Sequence, residues 1–225
     1  MPLPSAEALN RDGYHILPAL LDADSCATLA RDFDREEMFR SHIHMARHGF
    51  GRGEYKYFNY PLPERVADLR ARLYPPLARI ANQWRRDLGE TGTYPDQLNC
   101  YLRQCHAAGQ ARPTPLLLRY GAGDYNCLHQ DLYGEHVFPL QVAILLDEPG
   151  RDFTGGEFVL SEQRPRMQSR VSVVPLRRGD AVVFPVNNRP VAGKRGFYRV
   201  RMRHGVSALH TGRRHVLGLI FHDAA

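Results

Sequence analysis

The stretch YNCLHQDLYG, residues 125–134, sets His129 and Asp131 one residue apart among aromatic and small neighbours. Read as a strand, its period of two turns both side chains to the same side of a sheet. An imidazole and a carboxylate held that way suit two ligands of one metal ion, and a third must then come from a distant part of the chain.

The surroundings support a strand. From about residue 113 onward, TPLLLRYGAGD (114–124), LQVAILLDEPG (140–150), GGEFVLSEQ (155–163), SVVPLRRGDAVVFP (172–185) and RRHVLGLIFHDA (213–224) are short apolar runs bounded by Gly, Pro and Asp. Strands between turns have that grammar. Gly155, Gly156 and Gly179 then serve turn geometry, and Glu157 beside them is read as non-catalytic.

The residues before position 113 read as helices. DADSCATLARDFDREEMF (22–39) offers Asp22 or Asp24 as an N-cap, with Cys26, Leu29, Ala30 and Phe33 at helical spacing. PERVADLRARLYPPLARIANQWRRDLGE (63–90) carries Val66, Leu69 and Leu73 on one stripe and Leu77, Ile80, Trp84 and Leu88 on another. Pro75 and Pro76 are expected to break or kink it between the two. YPDQLNCYLRQCHAAG (94–109) predicts a third helix, with Pro95 early, Leu98, Tyr101, Leu102 and Cys105 inward and Gly109 as its stop.

Helices first and many short strands afterwards predict an α+β protein, helical over about 1–112 and a β-sandwich or barrel over about 113–225. With 225 residues, no internal repeat and no low-complexity linker, residues 1–225 are expected to form a single domain. A hydrophobic share of 43% and a charged share of 24% exclude a disordered chain and a membrane protein. The N-terminal residues show no signal-peptide pattern, so a cytoplasmic location without membrane association is expected. Cys26, Cys100, Cys105 and Cys127 contain no CxxC pair, so neither a zinc knuckle nor a redox motif is indicated. For Cys127, buried packing is the expected role rather than metal ligation. A net charge of +6 and a pI near 9.3 are compatible with an acidic partner such as nucleic acid.

Four histidines in RHGVSALHTGRRHVLGLIFHDAA (203–225) compete for the place of third ligand, and His204 fits best. A strand from His204, a tight turn at HTG (210–212) and a returning strand would bring Arg214 back toward the metal. Two histidines and one carboxylate on one face of an octahedral iron leave three positions for a bidentate acid and dioxygen. A buried guanidinium then makes sense as a forked partner for the far carboxylate of that acid. A one-step change of register makes His210 and Arg213 the alternatives.

The HQD of residues 129–131 followed by the distal HGVSALHTGRR (204–214) resembles the iron(II)- and 2-oxoglutarate-dependent dioxygenases. That resemblance implies a double-stranded β-helix or jelly-roll core with an N-terminal helical flank. It also implies His129, Asp131 and His204 as the catalytic iron ligands, Arg214 on the distal carboxylate of 2-oxoglutarate, and O2 as the second co-substrate. Tyr120 looks like the tyrosine that several such enzymes direct at the co-substrate. AlkB-type members carry an asparagine two residues before that tyrosine, where this chain has Leu118.

A narrower resemblance covers residues 51–84, 129–170 and the ending IFHDA (220–224). These are similar to the bacterial Oxygenase-NA family, described as AlkB-like and acting on alkylation-damaged nucleic acid. It implies oxidative demethylation or dealkylation, with single-stranded or damaged DNA or RNA as partner. NNRPVAGKRGFYRVRMRHG (187–205) interleaves Arg189, Lys194, Arg195, Arg199, Arg201 and Arg203 with Phe197 and Tyr198. Lys194, Arg195, Arg199 and Arg201 are therefore candidate nucleic-acid contacts beside the iron, against the alternative of a solvated edge hairpin. Arg52, Tyr55, Lys56 and Tyr57 are candidates for a lid or for packing of the flank. Two other functions stay open: a hydroxylase of a protein side chain such as proline or of a small molecule, and a non-catalytic binding module. The four intact residues His129, Asp131, His204 and Arg214 argue against the last.

Overall fold

Alternate residues of the apolar runs after residue 113 serve two different cores in the computed structural model, which describes residues 2–225. In chain order the first elements are α1 (Ala6–Asp12), β1 (His15–Leu17), α2 (Ala23–Asp32), β2 (Phe39–His44), β3 (Gly51–Arg52), β4 (Glu54–Phe58), α3 (Glu64–Asp87) and α4 (Leu98–Ala107). Then come β5 (Leu116–Gly121), β6 (Tyr125–His129), β7 (Leu140–Leu145), β8 (Phe153–Gly155), β9 (Phe158–Gln163) and β10 (Arg170–Val174). The last four are β11 (Ala181–Pro185), β12 (Asn188–Gly193), β13 (Gly196–Val206) and β14 (Leu209–Leu219).

The strands form two sheets whose ladders are all antiparallel. The larger has eight strands in the order β1–β11–β7–β14–β5–β4–β2, with β8 paired to β14. The smaller has six, β10–β9–β13–β6–β3, with β12 paired to β13. Along β7, Val142 and Ile144 turn outward to the helices and Ala143 and Leu145 turn inward between the sheets, so all six residues are buried. Covering on both faces is why such a run reads as continuously apolar rather than alternating. The architecture is α+β, a double-stranded β-helix with helices on the outer face of its larger sheet.

Several expectations change. The first 112 residues are not only helical: β2 and β4 extend the larger sheet and β3 the smaller. The period-two alternation of Tyr55 and Tyr57 with Lys56 is the sequence signal for β4. Asp22 caps α2 by accepting from the Ser25 amide, but the helix ends at Asp32 and residues 36–38 form a single 3-10 turn. Helix α4 begins at Leu98 rather than near Pro95.

Pro75 and Pro76 do not break α3, which runs unbroken for 24 residues. The carbonyls they leave without a donor belong to Ala71 and Arg72, both exposed, so water can satisfy them. Leu69, Leu73, Tyr74, Leu77, Ile80 and Trp84 meanwhile bury one continuous face against the sheet. The turn expected at residues 210–212 lies instead at Ser207 and Ala208. Gly212 sits inside β14 at φ +80°, where a Cβ would come 2.0 Å from the Asp152 carbonyl oxygen. It marks the kink at which β14 leaves β8 and joins β5 and β7.

The residues after β14 are held by a buried ion pair. The Arg70 Nη2 donates to Asp223 Oδ1 at 2.8 Å, with the two side chains 1% and 0% exposed. Arg70 Nε also donates to the Ile220 carbonyl, and Tyr60 Oη donates to Asp223 Oδ2. Removing one member leaves a buried charge under-paired. Arg70→Met is accordingly expected to lower the free energy of unfolding by about 3–5 kcal/mol, measured by urea titration, while a loss below about 1 kcal/mol would remove this pair as an anchor.

Candidate active site

The site is assembled by cross-strand pairing between strands distant in sequence. On the smaller sheet His204 of β13 stands directly opposite His129 of β6. On the larger sheet Arg214 of β14 stands opposite Tyr120 of β5. All four reach one cavity of about 370 Å³ between the sheets. Asp131 lies just beyond the end of β6, in extended chain that keeps it on the side of His129.

Three ligand atoms converge there. Asp131 Oδ1 is 3.5 Å from His129 Nε2, Asp131 Oδ2 is 3.3 Å from His204 Nε2, and the imidazole centroids are 4.2 Å apart. One nitrogen or oxygen from each residue lies within 4.8 Å of the others, as ligands of one ion must. His129 Nδ1 bonds its own chain at the Cys127 carbonyl, 2.7 Å away. That bond makes Nδ1 the donor and leaves the Nε2 lone pair facing the cluster. Cys127 contributes this carbonyl only; its thiol is exposed, neither buried packing nor a ligand.

Two residues absent from the sequence reading hold the carboxylate. Tyr133 Oη donates to Asp131 Oδ1 at 2.8 Å, and Gln141 Nε2 donates to Asp131 Oδ2 at 3.0 Å. Gln141 was legible as the one polar residue in the run PLQVAILL; Tyr133 had no comparable mark. Burial pushes the Tyr133 phenol far above its ordinary range, and the Asp131 charge adds to this, so it remains a donor. Burial works against ionisation of Asp131, but the hydrogen bonds and charges of the two imidazoles hold its carboxyl well below the usual range. Burial and the neighbouring His129 push His204 down, toward the neutral form that metal ligation requires.

Arg214 is 2% exposed, and its Nε and Nη1 have no hydrogen-bond partner among the described residues. Burial pulls its guanidinium down to about 10, still protonated at neutral pH. A buried cation with donors to spare is costly unless an anion completes it. The cavity therefore fits a small acid with a carboxylate at this end and metal-binding oxygens at the other. Tyr120 is fully buried, its phenol pushed up to about 12 by burial, and Arg214 lies 5.6 Å from its ring centre. Leu118 lines the cavity, and the amide near Tyr120 comes instead from Asn126 on β6, whose Nδ2 donates to Tyr120 Oη at 3.3 Å.

The alternatives His210 and Arg213 are exposed and outside the cavity. The lid residues divide by parity: Tyr55 and Tyr57 line the cavity wall, while Lys56 is buried on the other side, donating to the Phe33 carbonyl. The basic hairpin is not beside the cluster. Lys194 and Arg195 form the tip between β12 and β13, nine or more residues from His204 and so about 30 Å along the strand. Arg199, Arg201 and Arg203 are exposed and alternate with the buried Val200, Met202 and His204, so they occupy the opposite face. Arg199 pairs with Glu90, and Arg189 is buried against Glu162 and the Asn10 carbonyl.

A family model, Oxygenase-NA, described as an oxygenase catalysing oxidative methylation of damaged DNA, matches residues 53–224. The uncharacterized protein Rv2227 of Mycobacterium tuberculosis is 51% identical over 168 residues, 75% of this chain and 72% of the relative. A prolyl-4-hydroxylase of Pseudomonas putida superposes with a TM-score of 0.54 at 14% identity, covering 95% of this chain and 94% of that one. A 2OG-Fe(II) oxygenase-family oxidoreductase of Burkholderia pseudomallei does so with 0.55 at 17%, covering 98% and 90%. At these identities the likeness to solved structures is one of fold. No helix among the described residues is long and apolar enough to cross a membrane.

Tyr133→Phe removes the phenol that holds Asp131 while keeping the ring. It is expected to weaken binding of a divalent metal by about 10–100-fold, measured by anaerobic titration with Fe(II); unchanged affinity would leave Gln141 as sufficient support.

Proposed function

Because the chain belongs to the Oxygenase-NA family and has the fold of the iron(II)- and 2-oxoglutarate-dependent oxygenases, we propose that His129, Asp131 and His204 hold its iron and Arg214 the distal carboxylate of 2-oxoglutarate. The enzyme uses Fe(II), 2-oxoglutarate and O2. What carries the residue assignment is the presence, in one cavity, of three converging ligand atoms and a buried guanidinium with unpartnered N–H groups.

When bound, the iron supplies the oxidising chemistry that converts 2-oxoglutarate and O2 to succinate and carbon dioxide and inserts one oxygen atom into a substrate C–H bond. The chain's own residues prepare that event. Cys127, Tyr133 and Gln141 fix the orientation of the ligands. Arg214 neutralises the far carboxylate in a place that water cannot serve, and Tyr120, braced by Asn126, flanks it. Tyr55, Tyr57 and Phe184 give the remaining wall an aromatic surface.

The substrate in this reading is an alkylated base in nucleic acid, attacked at the alkyl carbon. Hydroxylation of an N-methyl group gives a carbinolamine that separates into formaldehyde and the free amine. Two facts support it: the family description names damaged DNA, and an exposed aromatic ring, Phe50, lines the cavity two residues before the exposed Arg52. Phe50 lines the cavity, is 49% exposed and stacks on His48 with centroids 5.3 Å apart. Strand β3 sets the exposed Arg52 opposite Tyr125, itself 39% exposed. Rings for an unstacked base and a guanidinium for a phosphate are what such a substrate requires. Lys194, Arg195, Arg199 and Arg201 would in this reading touch only flanking strand, away from the reacting base. A second reading, hydroxylation of an apolar protein side chain, is favoured by Leu128, which lines the same cavity and is 42% exposed.

His129→Ala and Asp131→Ala are expected to abolish Fe(II)-dependent decarboxylation of 2-oxoglutarate with the circular dichroism unchanged; normal turnover in either would remove the metal assignment. Arg214→Gln should raise the KM for 2-oxoglutarate at least about tenfold, the loss of one charge-assisted pair, and an unchanged KM would remove the anion assignment. Formaldehyde release from methylated single-stranded DNA, diminished by Phe50→Ala, tests the substrate. A stable hydroxylated product formed without nucleic acid would select the second reading.

A further inference from the structure

Strand β4 has an outer face as well as a cavity face. Tyr55 and Tyr57 line the cavity, whereas Glu54 and Lys56 turn the other way, where β2 supplies their neighbours. His44 stands opposite Glu54, and His42 opposite Lys56. His42 Nε2 lies 2.6 Å and His44 Nδ1 3.9 Å from the same carboxylate oxygen, Glu54 Oε2. The two imidazoles, two residues apart on one strand, have centroids 4.4 Å apart. We propose that His42, His44 and Glu54 form a second metal site, separate from the iron centre, that takes a borderline divalent cation such as Zn2+.

The distances suit that ion. Tetrahedral zinc with bonds of about 2.0–2.1 Å keeps its ligand atoms about 3.4 Å apart. The separations of 2.6 and 3.9 Å lie on either side of that value. Shifts below 1 Å, in His side chains 31% and 45% exposed, would bring each imidazole to that distance from Glu54 Oε2. Two imidazoles and one carboxylate favour zinc, copper or nickel over magnesium or calcium, and three protein ligands leave a fourth position open to solvent.

The surroundings are prepared for a cation. Glu54 Oε1 accepts from Arg119 Nε at 2.8 Å and Nη2 at 2.7 Å, which fixes the carboxylate and reserves Oε2 for the imidazoles. Arg119 is shared with Asp34, and Lys56 is tied to Glu36 and to the Phe33 carbonyl. Both fixed cations are thus already paired with carboxylates and do not point at Glu54 Oε2. The ion would fasten the edge strand β2 to β4, the strand that carries two tyrosines of the cavity wall.

The test uses the full chain carrying His129→Ala and Asp131→Ala, so that the iron centre does not contribute, titrated with Zn2+ against a chromophoric chelator. One equivalent is expected to bind, and adding His44→Ala should weaken it at least tenfold. Since His44 is half-exposed, a metal-free melting curve that matches its parent separates lost ligation from lost structure. Co2+ in the same protein should show the visible d–d absorption of a four-coordinate site, and His44→Ala should remove it. Failure of the parent to bind Zn2+, or undiminished binding after His42→Ala with His44→Ala, would overturn the proposal.

Discussion

The passage of one strand pair from the smaller sheet to the larger sets every other feature of the site. β13 delivers His204 opposite His129, the chain turns at Ser207 and Ala208, and β14 delivers Arg214 opposite Tyr120. Backbone ladders on both sides define the register, so the separation between the paired imidazoles and the guanidinium is set by the backbone. A slip of one residue in either strand would exchange inner for outer faces, putting Arg203 or Arg213 inside and the functional residues in water. Gly212 guards against this in β14, because its positive φ and its contact with the Asp152 carbonyl admit no Cβ at the kink.

Buried charge is handled in two ways within one chain. Arg70 and Asp223 satisfy each other and are surrounded by Tyr60, His106 and backbone carbonyls, so this group is complete in the folded protein and acts in stability alone. Arg214 is equally buried yet lacks partners for two of its donors. The energetic difference is that Arg214 keeps a desolvation cost that its protein neighbours do not offset. Arg189, closed by Glu162 and the Asn10 carbonyl, belongs with the first kind despite lying in the most basic segment of the sequence.

What could be read from the sequence follows this same logic of parity. That His129 and Asp131 share one side could be read from strand period, whereas the choice of His204 and Arg214 over His210 and Arg213 leaned on the resemblance to the dioxygenases; all four line one cavity. Tyr133 was not legible, since its role depends on which atom of Asp131 faces it, a tertiary fact, and Gln141 carried only the mark of a lone polar residue in an apolar run. The continuity of α3 through Pro75 and Pro76 was hidden for a related reason: propensity counts the lost hydrogen bonds, whereas the exposure of Ala71 and Arg72 and the packing of the opposite face decide their cost. The basic segment misled because a run of arginines in a strand shows charge density but not which side it faces; alternation with Val200, Met202 and His204 sends Arg199, Arg201 and Arg203 outward.

The place of β14 also sets the order of assembly during synthesis. It pairs with β5, β7 and β8, all earlier in the chain, and it occupies the middle of the larger sheet. Until residue 219 has left the ribosome, those strands lack their common neighbour and expose unpaired edges. At about 5–20 residues per second, the nascent chain spends several seconds in that state after β5 emerges, a window in which association with other chains competes with folding. The strand that carries Arg214 is thus also the last to join the sheet whose middle it occupies.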